Sequence, residues 1–170
     1  LNIGYSVASA TELPFENANF DFATSFMCLM DIPNPEKALQ EAYRVLKPNG
    51  FLQFSITHPC FNTPHRKNLR RWNGKTYAIE VGDYFKKLDG KIEEWIFGAA
   101  PVSLKNKFPK FKVPIFNRTL TQWFNDILDT GFMIEQINEP YPGNEAVKRQ
   151  PYLQDAQIVA YFLQIRCRKK

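Results

Sequence analysis

The stretch "RVLKPNGFLQFSITHP", residues 44–59, decides the fold because it joins the end of a helix directly to a strand. Upstream of it, Asn34-Pro35-Glu36 predicts a helix start: Asn can cap free amides, Pro needs no N–H at the first position, and Glu favours the positive helix end. Apolar residues then recur at helical spacing. Pro48 and Gly50 predict the end of the helix, and "FLQFSIT" predicts the strand that follows.

Further buried elements lie on both sides of this stretch. The run "FDFATSFMCLM", residues 20–30, is nearly continuous in apolar residues, as in a strand buried on both faces. Strand, helix and strand in this order form the βαβ unit of a parallel sheet. A second helix and strand are predicted over residues 119–137, and a long closing strand over residues 156–167. We therefore predict an α/β fold with a mixed, mostly parallel sheet and helices on its faces.

Residues 60–118 differ from their surroundings because they are basic, aromatic and poor in helical periodicity. Within them, Asp89-Gly90 predicts the turn of a β-hairpin over residues 84–97. An insert at the end of a parallel strand is where α/β enzymes place structure that covers the substrate. We expect residues 1–170 to form a single domain, with residues 60–118 as a substrate-cap insert.

Composition limits the class of protein. The chain has 170 residues, of which 44% are hydrophobic, enough for a sizeable core. It shows neither an apolar run long enough to span a membrane nor a leader of signal-peptide type, so we predict a cytoplasmic protein. The three cysteines are far apart and outside any metal-ligand spacing, so we expect ordinary thiols and no metal site. The basic run "HRKNLRRW", residues 65–72, could hold RNA, but such runs are usually solvated, and nucleic acid is not an expected partner.

The stretch "SATELPFENANFDFATSFMCLMDIPNPEKALQEAYRVLKPNGFLQFSITHP", residues 9–59, resembles class I S-adenosylmethionine-dependent methyltransferases of the small-molecule type. The resemblance is carried by "LPF", "FD" at a strand start, "RVLKPNG" and a strand ending in "HP". Residues 118–142, "RTLTQWFNDILDTGFMIEQINEPYP", are similar to the last helix and following strand of such enzymes. The resemblance implies a Rossmann-like methyltransferase fold, S-adenosylmethionine as the cofactor and a small molecule as the methyl acceptor.

The resemblance also implies residues that contact the cofactor. Adenine contacts are expected from Ser9, Ala10 and Thr11, although Ser9 stands where related sequences commonly have an acidic residue. Ser25, Phe26 and Met27 are expected against the ribose and methionine parts. The alternative for Phe26 and Met27 is that they fill the core, as such residues usually do.

Two residues are candidates for catalysis. His58 closes the second strand and has an unperturbed pKa near neutrality, so it could act as a base, or it could only bond to backbone. Asp31 follows the first strand and could orient a substrate amine or hydroxyl, or bond to its own backbone. Candidates for substrate binding have the alternative role of holding the insert against the sheet. They are Tyr77, Tyr84, Arg118 and Tyr141.

The family's glycine-rich cofactor loop has no counterpart here, since no GxGxG motif occurs in the 170 residues. We therefore expect the C-terminal part of a methyltransferase domain, which binds the cofactor weakly or not at all. The strand at residues 20–29 would then have an open edge, which favours a homodimer. A non-catalytic binding or regulatory module on the same scaffold remains the alternative function, and the sequence does not name the methyl acceptor.

Overall fold

The structure, a computed structural model, describes residues 3–96 and 100–170. Eight strands, four α-helices and two short 3₁₀ segments, Leu29–Asp31 and Pro151–Gln157, occur in this part of the chain. The strands are β1 (Phe20–Phe26), β2 (Leu46–Thr57), β3 (His65–Arg70), β4 (Thr76–Gly82), β5 (Asp89–Trp95), β6 (Phe111–Phe116), β7 (Phe132–Asn138) and β8 (Phe162–Lys169). The helices are α1 (Pro35–Val45), α2 (Val102–Lys105), α3 (Leu120–Asp129) and α4 (Asn144–Arg149).

The main sheet has four strands in the order β1-β2-β8-β7. β1 and β2 are parallel and are joined by α1, which is the predicted βαβ unit. β8 is antiparallel to both of its neighbours, so β1, β2 and β7 point the same way. The predicted mixed sheet is confirmed, and three of its four strands point the same way, although only one of the three strand pairs is parallel.

The core lies between this sheet and the two longer helices. β2 alternates, so that Leu52, Phe54 and Ile56 point into the core, where they meet Leu39 of α1 and Ile127 of α3. Both helices thus share one face of the sheet. On the opposite face the rings of Phe22 and Phe51 stack, with centroids 5.6 Å apart, and the guanidinium of Arg166 lies 4.1 Å from the Phe51 centroid.

The junction of α1 and β2 differs from the prediction in one respect. The helix already ends at Val45, before Pro48. Pro48-Asn49-Gly50 forms a bulge inside β2, at which the register of the pairing with β1 shifts. Asn49 has φ 64° in this bulge. A Cβ at Gly50 would lie 2.9 Å from the carbonyl oxygen of Lys47 and 3.0 Å from that of Asp21. Glycine is required at this position because two backbone segments approach it closely.

The closing strand is shorter than predicted. β8 begins at Phe162, and the first two residues of the predicted strand, Ala156 and Gln157, belong instead to the 3₁₀ segment Pro151–Gln157. There the side-chain amide of Gln154 donates to the Thr76 carbonyl oxygen, and that of Gln157 donates to the Pro142 carbonyl oxygen. These long-range bonds hold the segment in a compact turn, which the β propensity of its residues did not predict.

Between β2 and α3 lie two separate two-stranded sheets, β3–β4 and β5–β6, both antiparallel. β3–β4 is a hairpin whose turn contains Gly74 with φ 79°. The prediction of a hairpin turn at Asp89-Gly90 was wrong: Gly90, with φ 74°, forms a bulge at the start of β5, which pairs with β6 instead. Phe97, at the end of the predicted hairpin, lies outside the described residues.

β1 is an edge strand in the described chain. It pairs with β2 on one side only, and the side chains of Phe22 and Phe26 are 59% and 62% exposed. The open edge matches the expectation, while the homodimer based on it stays a prediction. None of the helices in the described part of the chain has the length and apolar content needed to cross a membrane.

Candidate functional site

A cavity of about 370 Å³ lies at the carboxyl ends of β1 and β2 and is covered by the β5–β6 sheet. Ligands of open α/β sheets bind at this end of the strands. Apolar and polar side chains both line it. They include Met27, Asp31, Tyr84, Glu93, Trp95, Val113, Ile115, Arg118 and Trp123.

The chain turns sharply at the end of β1 and thereby points three residues at the cavity. Met27 adopts the left-handed region with φ 51°, and its N–H donates to the carbonyl oxygen of Ser55 at 3.0 Å. The turn leads into the 3₁₀ segment Leu29–Asp31, closed by a bond from the Asp31 N–H to the Cys28 carbonyl oxygen at 2.9 Å. As a result Met27, Met30 and Asp31 line the cavity together.

Asp31 is the polar group best suited to meet a ligand. Burial raises the pKa of its carboxyl group above the ordinary value. Within residues 3–96 and 100–170 its carboxylate makes no side-chain hydrogen bond or ion pair, so the alternative of a bond to its own backbone is not seen. The carboxylate can therefore accept a hydrogen bond or a proton from a molecule in the cavity.

Tyr84 and Arg118 also line the cavity, and both bond to the start of one of the two longer helices. The Tyr84 hydroxyl accepts a hydrogen bond from the Leu120 N–H at 2.7 Å, at the start of α3. Arg118 donates to the carbonyl oxygen of Pro33 at 2.7 Å and lies 3.6 Å from a carboxylate oxygen of Glu36. Both predicted residues are at the site, with part of their bonding capacity used in the framework.

His58 does not line the cavity. Its side chain is buried, and Nδ1 accepts a hydrogen bond from the Cys60 N–H at 3.2 Å. The proton is then on Nε2, which donates to the Glu139 carboxylate at 2.8 Å. Both ring nitrogens are engaged, and His58 lies at the joint between β2 and the segment after β7, away from the cavity; its role as a base stays a prediction.

The remaining predicted residues are also outside the cavity lining. Ser9, Ala10 and Thr11 form a turn in which the Ser9 and Thr11 hydroxyl oxygens are 2.8 Å apart. Ser25 lies in β1, and the Phe26 side chain at the end of that strand is exposed. Tyr77 and Tyr141 are exposed and do not line this cavity, and their role as substrate contacts stays a prediction. The structure therefore brings together Met27, Asp31, Tyr84 and Arg118.

Sequence reasoning missed the walls that come from the insert and from α3. Trp95 and Glu93 lie on β5, Val113 and Ile115 on β6, and Trp123 on α3. The alternation of Val113 and Ile115 was a usable signal, since alternate residues of a strand share a face. Among the described residues there is no cluster of His, Cys, Asp and Glu that could hold a metal ion.

The first third of the chain is similar in sequence to known methyltransferases. The sequence profile of a family described as a methyltransferase domain matches residues 1–54. The ubiquinone/menaquinone biosynthesis C-methyltransferase of Rickettsia felis is 51% identical over 49 residues, which are 29% of this chain and 20% of that protein. The enzyme of the same name from Brucella anthropi is 53% identical over 49 residues, 29% of this chain and 19% of that protein. The chain thus spans about a fifth of these relatives.

Solved structures extend the similarity over nearly the whole chain. A structure described as an S-adenosylmethionine dependent methyltransferase from Listeria monocytogenes has a TM-score of 0.76 and 24% identity, over 98% of this chain and 69% of that one. One from Mesorhizobium loti has a TM-score of 0.71 and 20% identity, over 95% of this chain and 68% of that one. The chain carries a class I methyltransferase fold.

In this methyltransferase fold, one ion pair ties the "LPF" loop to α1. Arg44 makes two bonds to the Glu41 carboxylate, at 2.8 and 2.9 Å, and donates to the carbonyl oxygens of Leu13 and Phe15. Glu41 in turn accepts from the Leu13 N–H at 2.7 Å. The Arg44 guanidinium, followed by the Leu13 amide, lowers the pKa of Glu41 to about 2.

This ion pair predicts a pH dependence of stability. Because the pKa of Glu41 in the folded chain is depressed, its contribution is complete above the ordinary value of 4.5 and is lost as the pH falls toward about 2. We expect Glu41→Gln to have a lower urea midpoint at neutral pH than the unaltered chain. The difference between the two should shrink across this acidic window, and a difference that is constant with pH would contradict the assignment.

Proposed function

We propose that the protein transfers a methyl group from S-adenosylmethionine to a small-molecule acceptor held in the cavity. The observation that carries the proposal is the Asp31 carboxylate, which has no side-chain partner among the described residues and lines a cavity at the carboxyl ends of two parallel strands. The similarity of residues 1–54 to methyltransferase domains supports the reaction class. Residues 60–118 are proposed as the cap over the acceptor, and the cytoplasm as the compartment.

The residues at the end of β1 suit part of this cofactor. Met27 offers a thioether at the cavity, and the exposed ring of Phe26 offers an apolar surface at the end of β1. The Ser9–Thr11 turn exposes a hydroxyl group that can accept a hydrogen bond from an adenine amino group. When bound, S-adenosylmethionine supplies an electrophilic methyl group, and the protein positions the acceptor.

The cavity residues bind and orient the methyl acceptor in this proposal. Asp31 orients the acceptor's nucleophilic atom and accepts its proton as the methyl group is transferred. Trp95, Ile115 and Trp123 exclude water and restrict the orientation of the acceptor. The apolar walls favour an acceptor with an aromatic or aliphatic body and one polar reacting group.

We further propose that residues 1–170 alone bind the cofactor weakly, since they contain no glycine-rich loop whose amides could hold its methionine part. Calorimetric titration of S-adenosylmethionine and its demethylated product into this chain tests the point. A longer protein from the same gene, where one exists, is the comparison. Micromolar binding by the 170-residue chain would overturn this part of the proposal.

Asp31→Asn tests the proposed role of the carboxylate. We expect methyl transfer to fall on the order of 100-fold, because the amide cannot accept the acceptor's proton, while cofactor affinity changes little. The measurement is transfer of labelled methyl groups to a panel of amines, phenols and carbon acids, made at high S-adenosylmethionine concentration or, where a longer protein with the glycine-rich loop exists, in that protein. Asp129→Asn is the matched control, since Asp129 is exposed at the end of α3.

The outcomes of this experiment separate a methyltransferase that uses Asp31 from one that does not, and from a non-catalytic module. Equal rates for Asp31→Asn and Asp129→Asn would remove Asp31 from the mechanism. Cofactor binding without turnover on any acceptor, in a protein that contains the glycine-rich loop, would support the non-catalytic module instead.

A further inference from the structure

The segment of residues 100–112, "APVSLKNKFPKFK", combines exposed apolar side chains with positive charge. It contains four lysines and no acidic residue. Its apolar side chains are largely in solvent: Val102 is 70% exposed, Leu104 44%, Phe108 55% and Phe111 50%. A concentration of exposed apolar side chains is unusual on a monomer and marks an interaction surface.

The segment is ordered around α2 and borders the cavity. The Phe108 N–H donates to the Leu104 carbonyl oxygen at 3.2 Å, which extends the turn of α2 toward β6. Phe111 then pairs with Trp95 across the β5–β6 sheet, with ring centroids 5.6 Å apart. Trp95 is itself 40% exposed and lines the cavity, so the apolar surface continues from the segment to the cavity.

The charge of the segment is not neutralised by its own residues. Lys112 pairs with Glu94 at 3.4 Å across the β5–β6 sheet. The Lys107 ammonium lies 5.7 Å from the Phe108 ring centroid, and both side chains are exposed to solvent. Lys110 is exposed one residue before Phe111. Lysines that alternate with aromatic and aliphatic side chains match a surface that is negatively charged outside and apolar beneath.

We propose that residues 100–112 bind the surface of a bilayer that contains anionic lipid. Val102, Leu104 and Phe108 enter the headgroup layer, and Lys107 and Lys110 contact lipid phosphates. RNA fits the segment less well, because single-stranded nucleic acid is held by arginines and stacked aromatic rings, whereas this segment has no arginine and two exposed aliphatic residues. Binding at the surface requires no membrane-spanning helix.

Sedimentation with vesicles tests the proposal on the full 170-residue chain. One set of vesicles is phosphatidylcholine alone and the other includes phosphatidylserine. We expect binding only to the anionic vesicles, and a loss on the order of 30-fold in Lys107→Gln/Lys110→Gln, since each lysine near an anionic surface contributes about fivefold. Lys37→Gln/Lys75→Gln, which removes two exposed lysines from α1 and the β3–β4 turn, should bind about as well as the unaltered chain.

A second variant tests the apolar contribution. Val102→Ser/Leu104→Ser/Phe108→Ser keeps every lysine and alters only exposed side chains, so its melting temperature should be unchanged while vesicle binding falls at least about tenfold. Equal loss in the two lysine pairs would show attraction by net charge and overturn the proposed site. Preference for single-stranded RNA over anionic vesicles, or concentration-dependent self-association that the serine variant abolishes, would assign the surface to RNA or to a second copy.

Discussion

Phe54→Ala is expected to lower the free energy of unfolding by about 3–5 kcal/mol, the range for deleting a fully buried aromatic side chain. Phe54 has no exposed surface and lies in the middle of β2, paired with Ser25 of β1 and Ile165 of β8. Its ring also packs against Trp123, with centroids 6.1 Å apart. Removing it leaves a void between the sheet and α3 that both neighbours are too constrained to fill.

Urea denaturation followed by circular dichroism measures this loss. Phe85→Ala is the matched control, because the Phe85 side chain is 86% exposed and its removal should change the free energy of unfolding by no more than about 0.5 kcal/mol. Similar midpoints for the two variants would contradict the position of Phe54 at the centre of the core.

Trp123→Ala should have an effect of the same size, about 3–5 kcal/mol, for a different reason. The indole is only 2% exposed, yet it faces two ways: it packs on Phe54 and forms part of the cavity wall. The Arg118 guanidinium lies 6.0 Å from its ring centroid. Loss of the ring therefore weakens the core and enlarges the cavity at the same time.

Trp123→Phe separates the two consequences of this change. A phenyl ring retains most of the contact with Phe54, so stability should recover by more than half, while the cavity stays partly enlarged. Thermal unfolding measured for both variants gives the comparison. If Trp123→Phe were as unstable as Trp123→Ala, packing of the ring on Phe54 would not be the source of the lost stability.

The βαβ unit and the final helix–strand pair could be predicted from the sequence because their signals are local. α1 starts at Pro35 as predicted, although the Asn34 side chain makes no capping bond. α3 lies inside the predicted range, between the capping box of Thr119 with Gln122 and Gly131, whose φ is 99°. The insert could not be predicted in the same way. β5 pairs with a strand beyond α2, and the turn residues Asp89-Gly90 indicate a local hairpin whether or not one forms.

The candidate site was predictable to the extent that it depends on where strands end. Met27 and Asp31 follow β1 directly, and parallel strands bring their carboxyl ends to one edge. His58 also ends a strand, but its partner Glu139 is 81 residues away, and nothing in the local sequence indicates that bond. Trp95 and Ile115 reach the cavity only because β5 pairs with β6.

The position of β8 affects the order in which the chain can fold. Among the strands of the described chain, β8 comes last in sequence yet lies inside the sheet, between β2 and β7, and the Cys167 thiol reaches the Leu52 carbonyl oxygen across 115 residues. During translation β7 therefore has no partner strand in this sheet, and β2 has only β1, until β8 has been synthesised. Folding of this sheet is a late event, dominated by contacts of long sequence separation, and chaperones have time to act on the nascent chain before it.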